Sequence, residues 1–464
     1  MNHVDQIMDQ ALTILKKKSI DGYEIYCNQS SHFDVESKGG KIEALQTSWY
    51  LGMAFRILDH QRIGFSYATF SNPSPAAGEN FLNEMDRMIE DAISSARTTS
   101  KDRCFDFALP LKVPSPKLLI FDERLEKISE KKKMEQAKYL EESAKSVDSE
   151  RIKKVRKASY QDVISRTTLV NSNGLQFSYD HTLASVSVTA VADESGESEM
   201  GWDFDVSHFF NDLNVKKVGR SAGRKALERL GGKRIPSGVY PVILRNEVAS
   251  EFLSLLAHSF LADQVQKGKS PLKGKQGERF FSPLLTIVDD GTYPKGISSS
   301  PIDGEGMPSQ RTSLVIQGEV TGYLYDRYWA NRENLSSSKP QSGSTGNSRR
   351  HGIKSPPGVG ISNLFVERGD QPLPRLMENL FTGMVVEEVM GLHTVDPISG
   401  DFSLGCSGDW IDKGKKIHPV KSIAIAGNLF ELFRRVIGVG EDLRFFGGVG
   451  SPSLLIKELV ISGN

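Results

Sequence analysis

Hydrophobic and polar positions change period along this chain, and each period predicts an element. Apolar residues at Val4, Ile7, Met8, Ala11, Leu12 and Leu15 form a helical stripe interrupted by acids and amides. From Tyr23 to Phe70 the pattern shifts to alternation, in EIYCNQSSHFDVES, KIEALQTSW, YLGMAFRIL and RIGFSYATF, with turns at Gly39-Gly40 and Asp59-His60-Gln61. Such alternation between turns predicts antiparallel hairpins with one buried face. Helical stretches follow near residues 76–96 and 121–145, the second laced with Glu and Lys as a solvated face would be. Strands return from about 151 to 200, with Asn171-Ser172-Asn173-Gly174 as a hairpin turn.

A helix over roughly 212–230 stops at Gly231-Gly232, and KRIPSG after it has the composition of a linker. Two domains are expected, 1–235 and 236–464. In the second, YPVILR reads as a buried strand, and Asn246 is placed to cap a helix running to about residue 264. Residues 334–360 are dense in Ser, Gly and Pro, too long for an ordinary connection, and read as a mobile or functional loop. Strand-like segments then alternate with glycine-rich turns to the C-terminus, with one short helix near 428–436. Strands clustered apart from helices, without a regular repeat, predict an α+β fold of mainly antiparallel sheets with packed helices.

Composition narrows the function classes. The 464 residues suit two cores, and 38% hydrophobic with 25% charged residues is a globular balance. Lys+Arg and Asp+Glu both total 58, so no net field favours nucleic acid. Cys27, Cys104 and Cys406 lie far apart with no CxxC pair, which argues for a reducing, cytoplasmic setting and against a thiolate zinc site. The N-terminus lacks the continuous apolar core of a signal peptide, and no run approaches the roughly 18 apolar residues of a membrane span.

Standard catalytic signatures are absent. There is no HExxH, no GxSxG and no GxxxxGK[ST], and Gly438 and Gly440 do not open a predicted helix as a dinucleotide fingerprint would. Cys406 sits in SLGCSGDW, read as a glycine-flanked turn, with His393 and Asp396 near in sequence; a small packed residue is the simpler account. On the predicted helix NEVASEFLSLLAHSF, Glu247, Glu251 and His258 are spaced to share one face. They could line a cleft or hold a metal, or they could be a hydrogen-bonded histidine and two solvated glutamates.

After this helix comes GKQGERFFSPLLTIVDDGT, Gly274 to Thr292, which resembles the GxxGExxxSxxxTxVDDGT segment of the TldD/PmbA peptidase family. The resemblance continues through IDGEGMPSQRTSLVIQG, TGYLYDR, TGNSRR (Thr345 to Arg350), SIAIAGNLFELF and IKELVISGN, and more weakly into YLGMAFR. Peptidase members carry HExxxH before this segment; alignment on GKQGE places its three positions at Leu253, Ser254 and His258. The stretch corresponding to their C-terminal cysteine ligand, GEDLRFFGGVGSPSLLIKEL, contains no cysteine. These departures resemble the PmbA (TldE) branch. The resemblance implies a subunit with no metal or other cofactor of its own, no catalytic residue, and a TldD-like metal-bearing partner. It further implies unfolded peptide as substrate, and an older role as gyrase modulator. A homodimer, an autonomous hydrolase, and a non-proteolytic regulator binding gyrase or an antitoxin are the alternatives.

Overall fold

The computed structural model describes residues 3–70, 78–110, 117–336 and 343–463. Six strands alternate with two helix pairs in the first half: α1 (His3–Leu15), β1 (Gly22–Lys38), β2 (Lys41–Asp59), β3 (Arg62–Phe70), α2 (Gly78–Thr98), α3 (Glu130–Lys145), β4 (Lys154–Asn171), β5 (Gln176–Glu194), β6 (Glu197–Ser207) and α4 (Val215–Glu228). The strands form one antiparallel sheet in the order β3-β2-β1-β4-β5-β6. KIEALQTSW and YLGMAFRIL are one continuous strand, β2. The helix read over 121–145 begins only at Glu130, after a single 3-10 turn at Leu125–Lys127. Residues 76–77 of the earlier helix lie outside the described residues.

Period-two alternation explains how the helices sit. Ile25, Cys27, Phe33 and Val35 share one face of β1; α1 and α2 bury the first pair, and α3 and α4 the second. Helices α2 and α4 rest on the two edge strands at glycines. A Cβ at Gly64 would lie 1.9 Å from the Ala92 carbonyl oxygen, and one at Gly201 would lie 2.1 Å from that of Ala222. Only glycine permits this backbone approach.

The second half begins with β7 (Gly238–Leu244) and α5 (Asn246–Ala257). It continues through α6 (Ala262–Gln266), β8 (Ile287–Asp290), β9 (Arg311–Ile316), β10 (Glu319–Val320), α7 (Arg327–Ser336), β11 (Ser348–Arg349), β12 (Gly358–Val359), β13 (Leu364–Val366) and α8 (Leu373–Leu380). It ends with β14 (Gly383–Met390), β15 (Asp401–Asp412), β16 (Lys415–Asn428), α9 (Leu429–Arg434), β17 (Val436–Val439), β18 (Arg444–Phe446), β19 (Val449–Ser451) and β20 (Leu454–Ser462). Two further six-stranded sheets result, β10-β9-β8-β13-β19-β18 and β16-β15-β14-β7-β20-β17. Only β14–β7 and β13–β19 pair in parallel, so the architecture is α+β with mostly antiparallel sheets. Among the described residues no helix is long and apolar enough to cross a membrane.

The segment TGNSRR lies in the seam between the halves, while residues 337–342 of the Ser/Gly/Pro stretch fall outside the described residues. Asn347 donates to Asp289 at 2.7 Å in the interior. Arg350 pairs with Glu24 of β1, donates from Nε to the Gly304 carbonyl at 2.8 Å, and lies over the Tyr26 ring. Arg56 of β2 joins Glu24 at 3.3 Å to Glu305 at 3.2 Å. This part of the stretch is a fastening between halves, because its charges find partners only across the seam.

Candidate functional site

Helix α5 is the element on which the candidate residues fall. Its buried positions, Val248, Ala249, Phe252, Leu253 and Leu256, follow helical spacing and face the core. Glu247, Glu251, Ser254 and His258 mark the opposite face, where Ser254 and His258 are exposed and the two glutamates half-buried. The helix ends earlier than its pattern predicts. Ala257 is its last residue, His258 opens a 3-10 turn to Phe260, and α6 follows separately. Asn246 is the first helical residue rather than the cap: Arg245 holds the cap position, and the Asn246 amide donates to the Asp442 carbonyl at 3.1 Å.

Leu253 and His258 point apart. Five residues advance a helix by about 500°, leaving such side chains roughly 140° from each other. Leu253 is accordingly fully buried among apolar neighbours while His258 reaches solvent. Nor do Glu247, Glu251 and His258 draw together as ligands. Among the described residues the one group with all its ligand atoms within 4.8 Å is Asp21, Asp59 and His60, on the β2–β3 turn. There the His60 ring meets Asp59 at 2.8 Å and Asp21 accepts the His60 backbone N–H, so the turn explains the grouping.

The face of α5 instead meets charges that sequence order leaves distant. Lys225 of α4 pairs with Glu247 at 3.0 Å, Arg229 with Glu388 of β14 at 2.9 Å, and Arg245 with Glu387 at 3.3 Å and Asp442 at 3.2 Å. Between α4 and strands β14–β16 lies a cavity of about 290 Å³, with Lys225, Arg229, Glu387, Glu388 and Asp409 on its wall. Glu387, Glu388 and Asp409 carried no sequence signal, since only their neighbours across the seam distinguish them. Burial, then the charges of Glu247 and Glu388, push the Glu251 carboxyl up to about 7. A carboxyl raised above its unfolded value holds its proton longer in the folded chain, so folding stability falls as pH rises from the unfolded value through about 7. Glu251→Gln is therefore expected to match the parent at pH 5 and to exceed its melting temperature at pH 8.5; equal melting temperatures at pH 8.5 would contradict this.

The segment aligned with the cysteine-bearing stretch does pack against α5, through β18 and β19. Its Asp442 accepts from the Ser453 backbone N–H at 2.8 Å and from Arg245, tying that loop to the helix start. Cys406 is elsewhere, in the middle of β15 opposite Val389 and Ile423 rather than in a turn. It is fully buried, and burial pushes its thiol up to about 12, the reverse of what a nucleophile needs. His393 lies in a short 3-10 turn and Asp396 accepts from the backbone N–H of Ile398 and Ser399; neither is bonded to Cys406.

Three family models match in succession: PmbA/TldA metallopeptidase domain 1 at residues 23–96, the central domain at 123–230, and the C-terminal domain at 237–463. The chain is 27% identical to "Metalloprotease PmbA" of Escherichia coli O157:H7, over 99% of this chain and 96% of that protein. It is 26% identical to a "Metalloprotease TldD homolog" of Haemophilus influenzae, over 97% and 94%. A solved structure from Thermotoga maritima, described as a candidate modulator of a DNA gyrase, superposes with a TM-score of 0.86 at 26% identity, over 99% of this chain and all of the other.

Proposed function

From the premise that the chain belongs to the PmbA/TldD metallopeptidase family, we propose that it is the PmbA (TldE)-like subunit of a cytoplasmic TldD/TldE-type peptidase and leaves the metal to its partner. The carrying observation is helix α5. It keeps the family's place against the C-terminal loop, yet its first motif position, Leu253, is sealed in the core and the second is a serine. A catalytic zinc site draws on three protein ligands and an open position, which His258 alone cannot supply. The similarity to both PmbA-type and TldD-type metalloproteases supports a common ancestry for two subunits that now divide the work. The chain's two units, 1–235 and 236–464, would then form one half of a chamber. An unfolded peptide could lie extended there, recognised by backbone hydrogen bonds more than by side chains.

The test is to mix the purified chain with a TldD-like paralogue, follow cleavage of an unstructured peptide, and run size-exclusion chromatography and metal analysis in parallel. A mixed complex with at least tenfold faster cleavage than either chain alone is expected, with metal stoichiometric to the paralogue only. If no mixed complex forms and the paralogue alone cleaves as fast as the mixture, the proposal fails. Gyrase binding by this chain alone would favour the regulator reading that the Thermotoga description suggests.

A further inference from the structure

His208 is 1% exposed and stands at the seam between the two halves. Its Nδ1 lies 2.6 Å from the Thr182 carbonyl oxygen of β5, and its Nε2 lies 3.0 Å from the Gly296 carbonyl oxygen of the second half. A carbonyl oxygen only accepts, and a neutral imidazole has one N–H, so a neutral ring would turn a lone pair on one of these oxygens. With both ring nitrogens protonated, both contacts are hydrogen bonds. We infer that His208 is held as an imidazolium and acts as a proton-dependent clasp between the two halves of the chain.

The surroundings are built to present those two oxygens. Thr182 is fixed through its N–H to the Ile120 carbonyl at 3.0 Å and through its hydroxyl, which donates to the His208 carbonyl at 2.8 Å and accepts from the Asp122 N–H at 2.8 Å. Across the seam, the turn carrying Gly296 contains Lys295 in the left-handed region, φ 60°, where a side chain is strained. Three contacts from the first half hold that strained residue. Its N–H donates to the Leu118 carbonyl at 2.7 Å, its ammonium pairs with Asp212 at 2.7 Å, and the same ammonium lies over the Phe209 ring. Leu119, beside the accepting carbonyl, is left-handed too, at φ 55°.

The charged and titratable groups around the ring are His181 on β5, Asp122 on the segment before α3, Asp212 after the ring, and Lys295 on the docked turn. Asp122 is committed to the N–H groups of Arg124 and Phe210 and to the Arg124 guanidinium, and Asp212 to Lys295. The ring is therefore held by dipoles of carbonyl groups, without a carboxylate hydrogen bond. Burial, then the neighbouring His208, depresses His181 to about 4, so His181 stays neutral and leaves the charge to His208. Docking favours the protonated ring, so the clasp is closed at lower pH and releases Gly296 as pH rises and one proton leaves.

The test uses the full chain labelled with ¹⁵N-histidine, and it is independent of the peptidase reading. At pH 8 eight of the nine histidine rings should show single-proton tautomers, while one shows both nitrogens protonated, and that signal should vanish in His208→Gln. As pH is raised until this ring loses a proton, the Lys295 amide, which bridges the seam, should exchange at least tenfold faster after correction for its intrinsic rate. Amides in the centre of β4 should keep their protection. Nine single-proton rings at pH 8 overturn the inference, with no variant needed. Loss of the proton with unchanged Lys295 exchange overturns the clasp.

Discussion

Arg350→Met is expected to cost about 3–5 kcal/mol of stability, the range for removing one partner of a buried ion pair. The Arg350 side chain is 4% exposed and that of its partner Glu24 1%. Methionine replaces the bulk of the stem but leaves Glu24 to share Arg56, which already serves Glu305. The double variant Glu24→Gln/Arg350→Met removes the stranded charge and is expected to recover at least half of the loss, as a double-mutant cycle measures. The readout is the urea midpoint at constant slope. A loss under about 1 kcal/mol, the usual ceiling for an exposed pair, would mean that TGNSRR is not fastened into the seam.

Gly201→Val is expected to destabilise by about 3 kcal/mol, the upper part of the range for overpacking. The added Cβ would stand 2.1 Å from the Ala222 carbonyl oxygen and 2.3 Å from the Ala226 nitrogen, both backbone atoms of α4. A side chain could rotate away, whereas here the helix itself must lift, which loosens the core formed by Val218, Ala222 and Ala226. Gly358→Ala is the control, because nothing lies within 4 Å of its Cβ position; it is expected to change stability by less than about 0.5 kcal/mol. Equal effects of the two substitutions would show that α4 is not seated on β6 through Gly201.

Local chemistry alone was enough to read the first sheet. Alternation over 22–70 and 154–207 produced its strands, Asn171 to Gly174 its turn, and the stop at Gly231 the end of α4, because period, turn residues and caps act over a few residues. The apolar stripe of α5 was equally visible, and motif resemblance marked Leu253, Ser254 and His258 within it. The turn read at Cys406 was overruled by the strands on either side. Gly408 lies so close to β14 that a Cβ would come 1.9 Å from the Val385 carbonyl oxygen, so the glycine there serves a bulged strand crossing.

What the sequence determined by itself was thus the kind of element at most positions, the family, and the absence of the family's usual ligand types from α5. Tertiary structure decided which groups meet: Lys225 with Glu247, Arg229 with Glu388, Arg350 with Glu24, and His208 with Gly296. These partners are separated by 22 residues in the nearest case and by 326 in the farthest. No local period encodes such pairings, because they arise only when apolar burial brings whole sheets and helices together and the buried charges must then find partners across the seam.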